Sequence, residues 1–285
     1  MEQSHSKFFE EVYALRTGRP VDAARGLEDR MSAKQDFLLL ASRGAEGIQD
    51  EVDRFVSSSD DAEARQVGEL LRYIRFETAS EREYPNGVRD KGRGPVDLRY
   101  FVEHPKAREA HLNEEEVVAL RLYTTAAYKF MNNPLRDEAR YARGESCPLP
   151  VTTYIAVRGI KKLRALQVNS DGAVTLWRGM RNVEVAESFM REGGTELAFM
   201  STTTELGVAA RYSLSRHSVL FKIVSPGFMT TGAEIQWLSA FPAESEILYP
   251  PLTYLKPTGR TENFSVEGNG GRFAFSVVEA HPQLA

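Results

Sequence analysis

Three short segments in the C-terminal half of the sequence carry residue types that can bind a phosphorylated ligand and act on it. The first is Leu176-Trp177-Arg178-Gly179. An arginine at the end of an apolar strand offers a planar fork of donors suited to phosphate oxygens. The glycine after it lets a ligand approach the backbone, because no Cβ stands in the way. An ordinary strand-to-turn junction uses the same pair. The second is Phe199-Met200-Ser201-Thr202-Thr203-Thr204-Glu205. Hydroxyls at a strand end can cap a following helix or give a well-aimed hydrogen bond to a carboxylate. The third runs from Leu238 through Phe241-Pro242-Ala243-Glu244-Ser245-Glu246 to Pro250-Pro251. On an extended chain Glu244 and Glu246 share one face. Two acids so close repel, which favours a raised pKa for one of them and proton uptake near neutrality. An exposed acidic strand start has the same composition. The flanking prolines give the loop a defined course.

These segments lie among short strands separated by Gly, Pro and Asn. After Asp171-Gly172 the candidates are 173–177, 196–200, 218–223, 234–238, 247–249, 252–255 and 273–278. Helical stretches near 183–192 and 205–214 interrupt them. Gly268-Asn269-Gly270-Gly271 does not open a helix and reads as a hairpin turn. The first part of the chain differs in rhythm. From Val21 to Tyr84 there is no proline, and apolar residues recur at helical spacing: Phe37, Leu40 and Ala41, then Ile48, Val52, Phe55 and Val56, then Val67, Leu70, Leu71 and Ile74. Ser57-Ser58-Ser59-Asp60 reads as a break and an N-cap. Tyr84-Pro85-Asn86-Gly87 and Lys91-Gly92-Arg93-Gly94-Pro95 read as a turn-rich linker. The expected organisation is a helical region over 1–85, a linker over 86–110 and a mixed α+β domain over 111–285. In that domain one helix should open at Asn113, with Glu114, Glu115 and Glu116 complementing its dipole, and end near Asn132-Asn133-Pro134. A second should span 151–166, with Arg158, Lys161, Lys162 and Arg164 as a solvated face.

Composition narrows the classes. The chain has 285 residues, enough to bury a real core, and a net charge of −4 at pH 7, which argues against a general nucleic-acid binder. A single cysteine, Cys147, excludes an intramolecular disulfide and a cysteine-rich zinc site. The five histidines share no metal-binding spacing, so no metal is expected. No apolar run approaches the roughly 18 residues of a membrane helix, and the acidic N-terminus is unlike a secretory signal. No membrane partner is expected. A cytoplasmic location, or secretion as an effector without a cleavable signal, fits these features. Walker, G-x-S-x-G and H-E-x-x-H patterns are absent.

In their order and spacing, Arg178, then Ser201-Thr202-Thr203, then Glu244-Ser245-Glu246 resemble the R-S-E class of mono-ADP-ribosyltransferases. This class includes arginine-specific vertebrate ectoenzymes and binary bacterial toxins. Its pattern is an apolar-Arg-Gly strand, a Ser-Thr-Ser/Thr strand end and Glu-x-Glu before a strand. The stretch from Leu122 to Arg136, with Asn132-Asn133-Pro134-Leu135-Arg136, is similar to the family's helix ending in an Asn-x-x-Leu-Arg type segment. The resemblance spans about 110–280. It departs at Trp177, where many members have Tyr, and at Thr203, which replaces the second Ser but keeps a hydroxyl.

The resemblance implies an α+β fold, a split pair of twisted sheets with flanking helices that grips NAD in a cleft, behind a helical N-terminal region. It implies transfer of ADP-ribose from NAD to a protein side chain, with nicotinamide released. Arg178 would bind an NAD phosphate, and Gly179 backbone groups would hold the nicotinamide carboxamide. Ser201 would orient Glu246, while Thr202 and Thr203 support the strand end and the nicotinamide side. Glu246 would bond the nicotinamide-ribose 2′-OH beside the positive charge that grows as the glycosidic bond breaks. Glu244 would position the acceptor guanidinium and take its proton, with Phe241 offering it an aromatic face. Glu at the first position of Glu-x-Glu, where asparagine-modifying members have Gln, favours arginine. NAD hydrolysis, transfer to another residue such as Thr of a host protein, and a silent NAD-binding module that engages a partner are the alternatives. The His-Tyr-Glu pattern of poly-ADP-ribose polymerases is absent.

Overall fold

The computed structural model describes residues 16–17, 26–34, 36–76, 90, 93–94, 96–166, 172–181, 185–215, 217–268 and 271–284. The helices are Gly26–Met31 (α1), Phe37–Ala41 (α2), Ala45–Ser57 (α3), Ala62–Phe76 (α4), Leu98–Val102 (α5), Pro105–Glu109 (α6), Glu114–Tyr123 (α7), Tyr128–Arg136 (α8), Glu138–Ala142 (α9), Pro150–Ala165 (α10), Glu187–Glu192 (α11) and Leu206–Ser213 (α12). The strands are Arg16–Thr17 (β1), Val174–Arg181 (β2), Gly194–Glu196 (β3), Met200–Thr203 (β4), His217–Ser225 (β5), Ala233–Glu234 (β6), Glu246–Tyr249 (β7), Thr253–Gly268 (β8) and Gly271–Gln283 (β9). The chain divides into two compact units, and the division does not follow chain order. A helical unit comprises Arg25–Gln167 and Ala233–Glu244; a sheet unit comprises Met1–Ala24, Val168–Gly232 and Ser245–Ala285.

In the helical unit, α3 buries Ile48 and Val52, and α4 buries Val67, Leu70, Leu71 and Ile74, the apolar stripe that the spacing predicts. The cap between them falls later than Ser57–Asp60: Asp61 accepts the Glu63 N–H at 2.8 Å. At the start of α7, Glu116 reaches back to accept the Asn113 N–H at 2.9 Å. The single helix expected from Asn113 to Pro134 is two helices. Thr124 and Thr125 donate to the carbonyls of Arg121 and Leu122, at 2.8 and 2.7 Å, and end α7 by competing for its last acceptors. Part of the cationic face of α10 is likewise inward: Lys162 lies 2.6 Å and Arg158 3.3 Å from Glu116, which is fully buried. Within the expected linker, α5 and α6 are helical; residues 84–89, 91–92 and 95 lie outside the described residues.

The sheet unit holds eight strands in the order β1-β3-β8-β9-β5-β2-β4-β7, antiparallel except for β5 and β9, which run parallel. One face is lined by Leu176, Met180, Met200, Phe221, Ile223, Tyr249 and neighbours, the other by Ala209, Leu220, Phe275 and Val277 with Trp177. Strand alternation produces both sets. Gly268 pairs with Gly271, so β8 and β9 form the expected hairpin; Asn269 and Gly270 lie outside the described residues. The strand expected over 234–238 is only the two-residue β6, followed by a turn.

Glu51 of α3 caps α10 from a hundred residues away: it accepts Val151 N–H at 2.6 Å, Thr152 N–H at 2.8 Å and the Thr152 hydroxyl at 2.6 Å. Burial pushes its carboxyl from 4.5 up to about 7, against the opposing pull of the Thr152 and Val151 hydrogen bonds. A raised carboxyl favours the fold while it is protonated. Its contribution is therefore full below about pH 4.5 and lost as pH rises through about 7. Glu51→Gln cannot titrate, so the stability of the wild type relative to this variant should be larger near pH 5 than near pH 8. Urea unfolding of both proteins at both pH values measures the difference, and a gap that widens with pH contradicts the assignment.

Candidate active site

Strand β2 pairs with β5 along its whole length, from Val174–Ser225 to Arg181–Ser218, but registers with β4 only at Trp177–Thr203. Beyond that pair the two strands part, and Arg178 bridges the opening. Its Nη1 donates to the Ser201 carbonyl at 3.0 Å. By alternation Arg178 belongs to the row of Leu176 and Met180, both buried. A guanidinium on such a row needs a counter-charge, since an unpaired buried charge is expensive. Glu196 of β3 provides it: Oε2 is 3.5 Å from Nη2, and the two side chains are 4% (Glu196) and 16% (Arg178) exposed. The other Glu196 oxygen accepts the Ala198 N–H at 3.0 Å. These two bonds use two of the five guanidinium N–H donors, so the group retains capacity for an anion. Glu196 was not among the residues singled out in the sequence. Its only signal there is a charge next to the apolar run 197–200.

Strands β4 and β7 pair Ser201 with Leu248 and Thr203 with Glu246. Ser201 and Glu246 are thus diagonal neighbours on one face, and the Ser201 hydroxyl donates to Glu246 Oε1 at 2.7 Å. Thr202 faces the other way and donates to the Ile247 carbonyl at 2.7 Å. Thr203 accepts the Glu205 N–H at 3.1 Å, closing the turn into α12. The two roles open to these hydroxyls are therefore divided: Ser201 aims a carboxylate, and Thr203 shapes the helix start. Ser245, the residue between the two glutamates, donates to Glu205 Oε1 at 2.9 Å. Glu205 thus steadies the approach to β7.

Gly179 has a different reason from the one its sequence context suggests. A Cβ there would lie 2.0 Å from the Ala209 carbonyl oxygen and 3.0 Å from Ser213 Cβ. The space freed by the missing Cβ is filled by α12, not held open for a ligand. Phe241 and Glu244 belong to the helical unit. Glu244 N–H donates to the Phe241 carbonyl at 3.0 Å, Phe241 N–H to the Ser239 hydroxyl at 3.0 Å, and Gln236 Nε2 to the Pro242 carbonyl at 2.9 Å. The Phe241 side chain is exposed at the tip of this tight loop. Among the described residues no group of three or more His, Cys, Asp or Glu side chains could hold a metal ion, and no helix is long and apolar enough to cross a membrane.

A carboxylate aimed by a hydroxyl, with a guanidinium that keeps spare donors on the same carbonyl, suits a ligand with both phosphate oxygens and sugar hydroxyls. A family model described as NAD:arginine ADP-ribosyltransferase matches residues 95–267. Among solved structures the chain is similar to ADP-ribosyltransferase HopU1 of Pseudomonas syringae pv. Tomato DC3000, at a TM-score of 0.48 and 19% identity, over 76% of this chain and 97% of that one. It is similar to Plx2a, an ADP-ribosyltransferase toxin from Paenibacillus larvae, at 0.47 and 18%, over 65% and 94% of the respective chains. It is also similar to the type III effector XopAI from Xanthomonas axonopodis pv. citri, at 0.43 and 14%, over 92% and 99%. No curated protein matches the chain.

The close approach of α12 to β2 gives a direct test. Gly179→Ala should force the two apart and cost roughly 1–3 kcal/mol, as overpacked sites do. Thermal unfolding reads this as a lower Tm. A variant as stable as the wild type would mean that α12 does not rest on this glycine.

Proposed function

Since the chain belongs to the NAD:arginine ADP-ribosyltransferase family, an NAD-dependent family that transfers ADP-ribose, we propose that its acceptor is a protein arginine and that Arg178, Ser201, Glu244 and Glu246 carry the reaction. The observation that supports this reading best is the 2.7 Å hydrogen bond from Ser201 to Glu246. It fixes one carboxylate oxygen before any ligand arrives, and a preorganised charge is what stabilises a developing opposite one.

The residues fit NAD by their chemistry. Its pyrophosphate is anionic and suits the remaining Arg178 donors. Its ribose hydroxyls are donors and suit Glu246. When bound, NAD supplies a ribose whose bond to a cationic nicotinamide is ready to break. Glu246 accepts a hydrogen bond from the ribose and lowers the energy of positive charge on it. Ser201 keeps that carboxylate from rotating away. Thr202, bonded to the Ile247 carbonyl, and Thr203 keep β4 and β7 in register beneath it. Glu196 holds the Arg178 side chain in its row. Gly179 supports the nicotinamide side through its backbone alone.

Glu244 stands two residues before Glu246 in the chain. An arginine guanidinium has a pKa above about 12 and must lose a proton as its nitrogen bonds to the ribose. Glu244 receives that proton, nicotinamide carries away the electrons of the broken bond, and Phe241 lies against the cationic face of the acceptor.

Glu246→Gln should lower both nicotinamide release and transfer by on the order of 100- to 1000-fold, with the fold kept by circular dichroism. Near wild-type NAD turnover by the folded variant rules out Glu246. Glu244→Gln should separate the two activities: nicotinamide release persists, and label on a simple guanidino acceptor falls far more. Equal loss of both would place Glu244 in the glycosidic step. Intact transfer to protein in a lysate would point to an acceptor other than arginine.

A further inference from the structure

The stretch Glu234–Ala240, which leads into the loop of Phe241 and Glu244, is fastened at almost every residue by side chains from 93–124. After β6 the chain turns, with Leu238 and Ser239 N–H donating to the Ile235 carbonyl at 2.9 and 3.0 Å. Three successive carbonyls are then taken by two guanidinium groups. Arg93 donates to Trp237 O at 2.6 Å and Ser239 O at 3.1 Å, and Arg121 donates to Leu238 O at 2.8 Å. Ala240 N–H donates to the Thr124 hydroxyl at 3.0 Å. The His104 ring stacks on Trp237 at 4.3 Å, and Lys106 pairs with Glu234.

Both guanidinium groups are held from behind by Asp90. Arg121 meets both of its oxygens at 2.8 Å, Arg93 meets one at 2.9 Å, and Tyr73 donates its hydroxyl. Arg121 lies 3.8 Å over the Phe101 ring and is 1% exposed. Burial works to raise the Asp90 carboxyl, but Arg121, with Tyr73 and Arg93, outweighs it and holds the group below its ordinary value. Two cations share one carboxylate, and the loop carbonyls supply further acceptors for both. Buried ion clusters add little net stability compared with apolar packing. What this one provides is a fixed path for the backbone that ends at Glu244.

We propose that Arg93 and Arg121, held by Asp90, are positioning residues that set where Glu244 meets the acceptor and so decide how ADP-ribose divides between acceptor and water. This rests on the reading of Glu244 given above.

The test uses the full chain and two mild variants. Arg93→Lys keeps a charge for Asp90 but loses the fork to Trp237 O and Ser239 O. Thr124→Val removes the acceptor of Ala240 N–H at nearly constant shape, and serves if Arg93→Lys does not fold. Nicotinamide release in water, KM for NAD, transfer to a simple guanidino compound, and amide exchange of residues 235–244 are measured on each. Release and KM for NAD should stay within about twofold, while transfer falls on the order of 10- to 100-fold, the scale of a misplaced reactive group. Exchange should quicken in 235–244. Unchanged exchange, or a folded variant whose ratio of transfer to hydrolysis equals that of the wild type, overturns the proposal. Glu244→Gln run in parallel keeps the two readings apart. If it retains transfer while Arg93→Lys loses it, the anchor stands and Glu244 is not the base.

Discussion

Strands β2 and β4 share the pair Trp177–Thr203 and then diverge, and much of the site geometry depends on that parting. A continuous ladder would have spent the Ser201 carbonyl on backbone pairing. The divergence frees it, and Arg178 takes it at 3.0 Å. Because β4 is turned toward β7, Ser201 lies diagonal to Glu246 and can reach its carboxylate. On the other side of β2, α12 fills the space that the missing Cβ of Gly179 leaves. One departure from regular sheet pairing therefore gathers a cation and a carboxylate from two neighbouring strands onto Ser201, whose carbonyl meets the first and whose hydroxyl meets the second.

Buried charges recur through both units with a common arrangement. Arg178 faces Glu196, Lys162 and Arg158 face Glu116, and Arg121 and Arg93 face Asp90. Apart from the local pair of Arg93 with Asp90, the partners come from different elements, so the pair fixes the position of one element against another more than it adds stability. Glu51 does the same with backbone donors in place of a cation. These contacts are directional, which suits a protein that must hold a few side chains at set distances.

Local features of the fold were legible in the sequence. Apolar spacing marked α3 and α4, because burial acts on side chains in a period that the chain itself displays; the acids after Asn113 marked the start of α7, and apolar runs between Gly, Pro and Asn marked strands of the sheet unit. Arg178, Ser201 and Glu246 stood out as polar residues beside apolar runs, but Arg178 is not the strand end that its Gly neighbour suggests: β2 continues through Gly179 and Met180 to Arg181. What depends on a choice between competing hydrogen bonds or on distant partners was not legible. The break at Thr124 and Thr125 looks in sequence like continued helix, since either hydroxyl can point outward or back to the chain. Ile235, Trp237 and Leu238 have the apolar character of a strand, yet the Ile235 carbonyl closes a turn and guanidinium groups far upstream in the chain take those of Trp237 and Leu238. Glu196 and Asp90 look like any surface acid until their partners are placed.

The boundary between the two units falls between Glu244 and Ser245. Glu246 is fixed within the sheet unit, by register with Thr203 and by the hydroxyl of Ser201. Glu244 is fixed within the helical unit, through a loop whose base is held by Arg93, Arg121 and Thr124. Two carboxylates one residue apart in sequence thus take their positions from separate sets of contacts. The hydrogen bonds named for the loop base and the Ser201–Glu246 bond use different side chains. Under the roles proposed for Glu246 and Glu244, breaking the nicotinamide bond would draw on the sheet contacts, and choice of acceptor on the loop contacts.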